Sequence, residues 1–378
     1  VKGEYQLEKI QYPGDVSKIK TILEDSDGYL WIAAYDEGVY CLKNNVVVRH
    51  FSIKNALGLL QDHEKNIWIS TQTDGIYEIN HDLLRQNHFD RTYFNSYGVN
   101  KLCDAPGMGI WCTNTKTVFL FGNGIFYSLE VPKVIQPVNI VYLFNNQTLL
   151  LGSISQLLCT FENLSVNKSS KRIVYESYKI HPIFTKKVIN NRSGNIVAMF
   201  DQNKIKFVNR LNPSFSVDYT QISERINNAY FNANNDFVIN SKRNYLYKNE
   251  KLEPYPILSR FDGAIILNHL LLNDTTELFN IDGDSLYVLN NNTFYNLTNA
   301  FETPIDKQIN KMAFVDNTLY LATLGEVYVC NNPLNAIKGA AVNLEPLKIS
   351  FNNINDILIV RDTLYIGSDD GLTIIAKT

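Results

Sequence analysis

The residues best suited to chemistry in this chain are amides, acids and bases held in short polar turns. Tyr35, Asp36 and Glu37, Thr73 and Asp74, Lys242 and Arg243, and Asp369 and Asp370 form one series of turn clusters. Hydrogen-bond donors and acceptors side by side suit sugar hydroxyls, which use both roles, and an aromatic face suits a sugar ring. The same residue types also make ordinary solvated turns. A second series is sharper. Asn100, Asn139, Asn227, Asn268, Asn310 and Asn355 recur one residue into the first strand of a repeated unit, with Lys20, Leu57 and Lys186 in the other three units. Asn is depleted in strands, so its recurrence at one register needs a cause. Either the amides ring a channel mouth, each offering two donors and an acceptor, or each satisfies the backbone of the adjacent unit. The candidate ligand contacts are therefore Tyr35, Asp36, Asp74, Arg243, Asp369 and these six asparagines.

Other chemistry finds no support. The sequence has no GxSxG elbow, HExxH, P-loop or dinucleotide fingerprint. The six His are scattered. Asp25 to Gly28 reads DSDG but lacks the downstream bidentate Glu of a calcium loop, so it reads as a tight turn. The five Cys match no zinc or redox spacing. They read as buried thiols, although Cys103 and Cys112 flank one predicted turn and are candidates to face each other. No catalytic residue, metal or cofactor is expected. A hydrolase remains an alternative, because acids from different units can converge at a channel.

The elements that position these residues follow from a repeat. ILEDSDGYLWIAAYDEGVYCL, from Ile22, and LLQDHEKNIWISTQTDGIYEI, from Leu59, share one order: apolar strand, polar turn, strand with Trp, polar loop, Gly, strand with Tyr. The Trp slot continues through Trp31, Trp68, Trp111, Leu150, Val197, Val238, Phe279, Tyr320 and Tyr365, at a mean spacing of about 42 residues. Four short strands per unit at this period predict an all-β fold, a β-propeller of four-stranded blades with seven to nine blades. The whole chain, 1–378, reads as a single array, with a second ring starting near residue 300 if the first closes at seven blades. The three Trp read as core between blades, with indole N–H groups that need buried partners.

EDSDGYLWIAAYDEGVY and QDHEKNIWISTQTDGIY resemble the two-component regulator propeller repeat. The match is close in the first two units, fair in the third and last, and positional only between about 135 and 300. The resemblance implies a periplasmic sensor region of a bacterial hybrid histidine kinase or related transmembrane regulator. It implies an oligosaccharide or other small extracellular ligand, a homodimer, and an output domain and membrane anchor outside this chain. A propeller lyase or glycoside hydrolase, and a protein-interaction scaffold, are the alternatives.

Composition agrees. Of 378 residues, 45% are hydrophobic and only 19% charged, which excludes a disordered chain. Tyr and Phe, 22 and 20, outweigh 3 Met, a balance that favours strands. A net charge of −3 without a basic stripe argues against nucleic acid as a partner. The longest apolar runs, such as Val118 to Phe121, are far too short to span a membrane.

Overall fold

The computed structural model describes residues 10–376 except 11, 64, 80–85, 95–96, 146, 154–156, 182–184, 210–219, 250, 283–284, 306, 348, 350 and 362. The described chain is built of antiparallel sheets joined by turns and short 3₁₀ segments. Each of the nine repeat slots falls on the second strand of its own sheet, so the expected nine units are all present.

Turn chemistry explains much of the Asn content. Asn44 and Asn45, Asn291 and Asn292, and Asp316 and Asn317 all have positive φ. Paired left-handed residues make the two-residue hairpins whose twist matches that of the flanking strands. The repeated Gly is fixed for the same reason. Gly38 has φ +100°, and a Cβ there would meet the Phe51 carbonyl oxygen at 2.2 Å.

The chain divides into two compact units, Val1–Asn87 and His88–Thr378. The first holds a four-stranded sheet, Ile19–Glu24, Leu30–Ala34, Gly38–Lys43 and Val46–Phe51, and a three-stranded sheet, Ala56–Gln61, Ile67–Thr71 and Ile76–Ile79. Trp31, Val39, Cys41, Ile67 and Ile69 form the core between these sheets.

The second unit is a closed ring of seven blades. Their innermost strands are Lys101–Ala105, Val138–Asn145, Lys187–Asn190, Asn228–Phe231, Ile266–Leu271, Lys311–Val315 and Ile354–Val360, numbered here as blades one to seven. Each inner strand neighbours the next, and the seventh neighbours the first. Seven hydrophobic clusters fill the seven junctions. The junction of blades seven and one joins Leu372 and Ile374 to Leu102, Ile110 and Phe94. The strand Gln86–Asp90 completes blade seven beside Gly371–Ala376, so the two ends of the ring's sequence share one sheet. The expected division near residue 300 is therefore corrected. The boundary lies at residues 87 and 88 because the strand that latches the ring precedes the third repeat, not the first. The longest slot spacing, from Leu150 to Val197, accommodates an inserted hairpin, Ser165–Asn167 with Arg172–Val174, which joins blade one in parallel beside Ile125–Leu129.

The Trp slots show how sequence sets local structure. Trp31 is fully buried, and its Nε1 donates to Asp25 Oδ2 at 2.8 Å. Asp25 Oδ1 accepts from the backbone N–H of Asp27 and Tyr29, so one carboxylate closes the turn and anchors the indole. Asp62 repeats the arrangement, accepting from Asn66 N at 2.8 Å and Trp68 Nε1 at 2.7 Å. The DSDG segment is thus a turn with a structural carboxylate. In the third unit the residue six before the Trp is Ala105, and the buried Trp111 Nε1 has no partner. We expect Ala105→Asp to supply it, with Gly107 and Gly109 offering N–H groups at the places of Asp27 and Tyr29. Stability should rise by about 1 kcal/mol. A urea titration that shows a lower midpoint would contradict this account of the motif.

The five Cys are all free thiols. Cys103 pairs with Trp111 and Cys112 with Leu102 across the hairpin, so the two sulfurs are not directly opposed. Burial pushes the Cys41, Cys159 and Cys330 thiols up to about 12, far from reactive.

Candidate functional site

The candidate loop residues divide between the two units, Tyr35, Asp36 and Asp74 in the first and Arg243 and Asp369 in the second. Tyr35 and Asp74 lie in the first unit, where the Tyr35 hydroxyl donates to Gln72 Oε1 at 3.0 Å and the Asp74 N–H caps the turn on Thr71 Oγ1. Asp36 is exposed, with φ 63°, as a turn residue. In the ring, Arg243 is exposed. Asp369 accepts from Asn353 at 2.7 Å and from Asn355 at 2.9 Å, which uses both its oxygens within its own blade.

Strand pairing fixes what faces the channel. Lys101 pairs with Thr113, Ile140 with Gly152, Val188 with Met199, Asn228 with Asn240, Lys311 with Ala322 and Asp356 with Gly367. Each partner lies two residues past its repeat slot. In blade five, however, Asn268 pairs with Asn280, one past Phe279. Leu278 is therefore the equivalent slot there, and Asn268 belongs to the deeper layer of Lys101 and Asp356. The layer above holds Asn100, Asn139, Lys187, Asn227, Leu267, Asn310 and Asn355. The expected ring is corrected in two blades: Leu267 replaces Asn268, and Lys187 replaces Lys186. In blade three the pairing is regular, and the first hairpin is one residue shorter than in blade one, which moves the register by one place.

Several amides of the inner strands bond to the neighbouring blade. Asn268 Nδ2 donates to the Asn310 carbonyl at 3.0 Å, and Asn355 Nδ2 donates to the Val99 carbonyl at 3.1 Å. Asn228 Nδ2 donates to Ile266 and Leu267 carbonyls at 2.7 and 3.1 Å. Each of these side chains ties one blade to the next, satisfying carbonyls that the inner strand edge leaves open.

A cavity of about 480 Å³ opens in the channel, lined among others by Asn139, Asn227 and Asn268. Its charge was not anticipated. Lys101, Lys186, Lys187 and Lys311 all line it, and no acid does. Lys187 Nζ donates to Asn228 Oδ1 at 3.2 Å, and Lys311 Nζ lies 3.5 Å from Asp356 Oδ1. Asp356 Oδ2 also accepts the Leu102 N–H at 3.0 Å, so this single carboxylate is shared. Lys101 and Lys311 directly follow two of the repeated asparagines, and Lys187 follows Lys186, so the signal was present one residue beyond the register.

The lysines raise one another's cost of charge. Burial, and then Lys311, Lys101 and Lys186, push Lys187 down to about 8. Burial likewise lowers Lys101, against the pull of Asp356. The unfolded chain holds the Lys187 proton up to its ordinary value of 10.5. The folded chain binds fewer protons between about 8 and 10.5, so this group's contribution to stability rises with pH through that window. The difference in unfolding free energy between Lys187→Met and the parent should shrink as pH rises from 7.5 to 10. A difference that stays constant would show that Lys187 is not electrostatically strained.

The nearest acid–base pair is structural. His269 Nε2 lies 2.8 Å from Glu277 Oε2, and both side chains are about 95% buried. Burial pushes His269 down, and Tyr230 stacks on its ring at 4.0 Å. Among the described residues no group of His, Cys, Asp or Glu is placed to hold a metal ion. No helix among them is long and apolar enough to cross a membrane.

Known proteins share this architecture. No curated protein matches the chain in sequence. The extracellular domain of BT3049 from B. thetaiotaomicron, described as a hybrid two component system, is similar with TM-score 0.67 and 13% identity, over 95% of this chain and 51% of that one. The extracellular domain of BT4673 from the same organism, also described as a hybrid two component system, gives TM-score 0.56 and 11% identity over 94% and 52%. The WD40 β-propeller domain of Doa1 gives TM-score 0.54 and 10% identity over 76% and 94%. The chain spans about half the length of the two extracellular domains. A family model of the two component regulator propeller matches residues 13–36, the segment that carries the Asp25 turn and Trp31. The chain is therefore a β-propeller protein that carries a two-component regulator propeller repeat.

Proposed function

We propose that this chain is the ligand-sensing part of an extracytoplasmic bacterial receptor, that it binds an oligosaccharide in the channel of the seven-bladed ring, and that it does not turn the ligand over. The observation that carries this reading is the channel itself: a cavity of about 480 Å³ lined by amides and lysines, with no acid in its wall. Hydrolysis of a glycosidic bond by the usual route needs two carboxylates about 5–10 Å apart across the bond. Among the described residues Asp356, paired with Lys311, and Asp201, near Lys186, stand beside this cavity, and neither lines it. Amide and ammonium donors instead bind and orient a polar ligand. The similarity to extracellular domains described as two component systems supports a place outside the cytoplasm, and periplasmic exposure follows on this reading.

A receptor transmits only the difference in a ligand's affinity for two arrangements. A ring held by seven packed junctions moves as one body, so signalling on this reading proceeds by rigid rearrangement of a homodimer. A thermal-shift screen of the purified chain against oligosaccharides of many glycan classes tests the reading. A rise in melting temperature with one class, the sugar recovered intact, is the expected result. A shortened product would replace the sensor with an enzyme, and no shift across the panel would favour a protein-interaction scaffold.

A further inference from the structure

The channel is more specific than a general polar cavity. Four ammonium groups, of Lys101, Lys186, Lys187 and Lys311, line one cavity in a chain whose net charge is −3. Asp201 answers Lys186, and Asp356 answers Lys101 and Lys311 together, with a backbone N–H already on one of its oxygens. Lys186 is partly accounted for by the carbonyls of Ile226 and Asn227, to which its Nζ donates. That leaves Lys101, Lys187 and Lys311 converging from blades one, three and six with a deficit of negative charge. Like charges gathered in a partly desolvated space are costly unless a counter-charge joins them. Nothing in the fold requires lysine at these places, since the equivalents of Lys101 and Lys311 in other blades include Ile140, Val188 and Asn228, and those of Lys187 include Asn139 and Leu267. In the same wall, the buried Asn139 Oδ1 has no partner.

We propose that the channel is a binding site for an oxyanion, carboxylate or sulfate, carried by an acidic saccharide and held by Lys101, Lys187 and Lys311. This deepens the sensor reading and rests on it: the ligand class becomes uronate-containing or sulfated sugars. The cavity has the size of a small-molecule site, enough for one or two sugar rings. The amides of Asn139 and Asn227 supply contacts for hydroxyls, while the lysines supply charge-assisted bonds to the anion.

Anion binding favours the charged form of Lys187. The groups facing it are Lys101, Lys186 and Lys311, with Asp356 beyond Lys311, Asn228 at its Nζ and His269 on blade five. His269 is neutral in the folded ring, because burial holds it below its ordinary value. Affinity therefore falls above about pH 8 as Lys187 loses its proton, by about tenfold per unit at most.

The test is calorimetric titration of the full chain with four probes: tetragalacturonate, a neutral galactose tetramer, a sulfated disaccharide and inorganic sulfate. The expected result is binding of an acidic saccharide, no binding of the neutral tetramer, and affinity about tenfold weaker or more in each of Lys101→Met and Lys187→Met. Lys242→Met, which removes an exposed loop charge, leaves affinity unchanged. Circular dichroism and the melting temperature of each variant establish that it is folded. Neutral and acidic tetramers binding equally, with no effect of the lysine variants, would overturn the anion site and leave the sensor reading intact. Inorganic sulfate binding in a lysine-dependent way, with no saccharide bound, would keep the site and overturn the sugar. No binding of any acidic probe to folded protein would overturn the proposal outright.

Discussion

Trp31→Ala should destabilise the first unit by about 3–5 kcal/mol. The indole is fully buried against Phe51, with ring centroids 5.9 Å apart, and fills the core between the two sheets. Its removal leaves a cavity that the strands on either side cannot collapse into. It also strips the donor from Asp25 Oδ2, in a turn whose other hydrogen bonds hold the carboxylate in place. A carboxylate oxygen that loses its donor in a side chain 6% exposed is costly in its own right. Trp31→Phe separates the two effects, because it keeps most of the ring and removes only the hydrogen bond. The same change at Trp111 should cost less, since its Nε1 has no partner to lose. Denaturant titrations of the three variants check this. Equal costs for Trp31→Phe and Trp111→Phe would mean that the Asp25 bond adds nothing.

Removing the latch of the ring should have an effect of similar or greater size. A chain shortened to begin at residue 91 lacks the strand Gln86–Asp90 and its Phe89, which packs on Tyr93, Phe121 and Phe126. Several backbone hydrogen bonds at about 1 kcal/mol each, plus one packed aromatic, amount to roughly 5 kcal/mol or more. That is a large share of the net stability of a typical domain, about 5–15 kcal/mol. The melting temperature of the ring should fall by more than about 10 °C, and the bared edge of Gly371–Ala376 should promote association between chains. A chain beginning at residue 80 keeps the latch and should melt close to the parent. If both shortened chains melt alike, the strand does not hold the ring closed.

The repeat was legible because burial between blades imposes it. Large apolar residues recur at one slot wherever two sheets must pack, even where Trp gives way to Leu150, Val197 or Val238. The turn role of Asp25 was legible for a similar reason, while its grip on Trp31 was not, since it depends on a six-residue reach through space. Ring closure was hidden because the latch is a short strand with no repeat signature, placed before blade one although it completes blade seven. The channel was half legible. The asparagines declared a register, but a first hairpin one residue shorter in blade three and a slot one place earlier in blade five displaced Lys187 and Asn268 by one place, and only strand pairing restores the layers. The lysines were missed because a binding group has no reason to repeat in every blade. Lys101, Lys187 and Lys311 become neighbours only when the ring closes.

The central claim is that the channel holds a saccharide without breaking it. The most direct measurement is an overnight incubation of the chain with a saturating saccharide identified by thermal shift, followed by gel filtration and mass spectrometry of the bound and free sugar. The account predicts about one intact molecule bound per chain and no shortened product. Sugar of reduced mass accumulating with time, or intact sugar bound equally well by Lys187→Met, would contradict it.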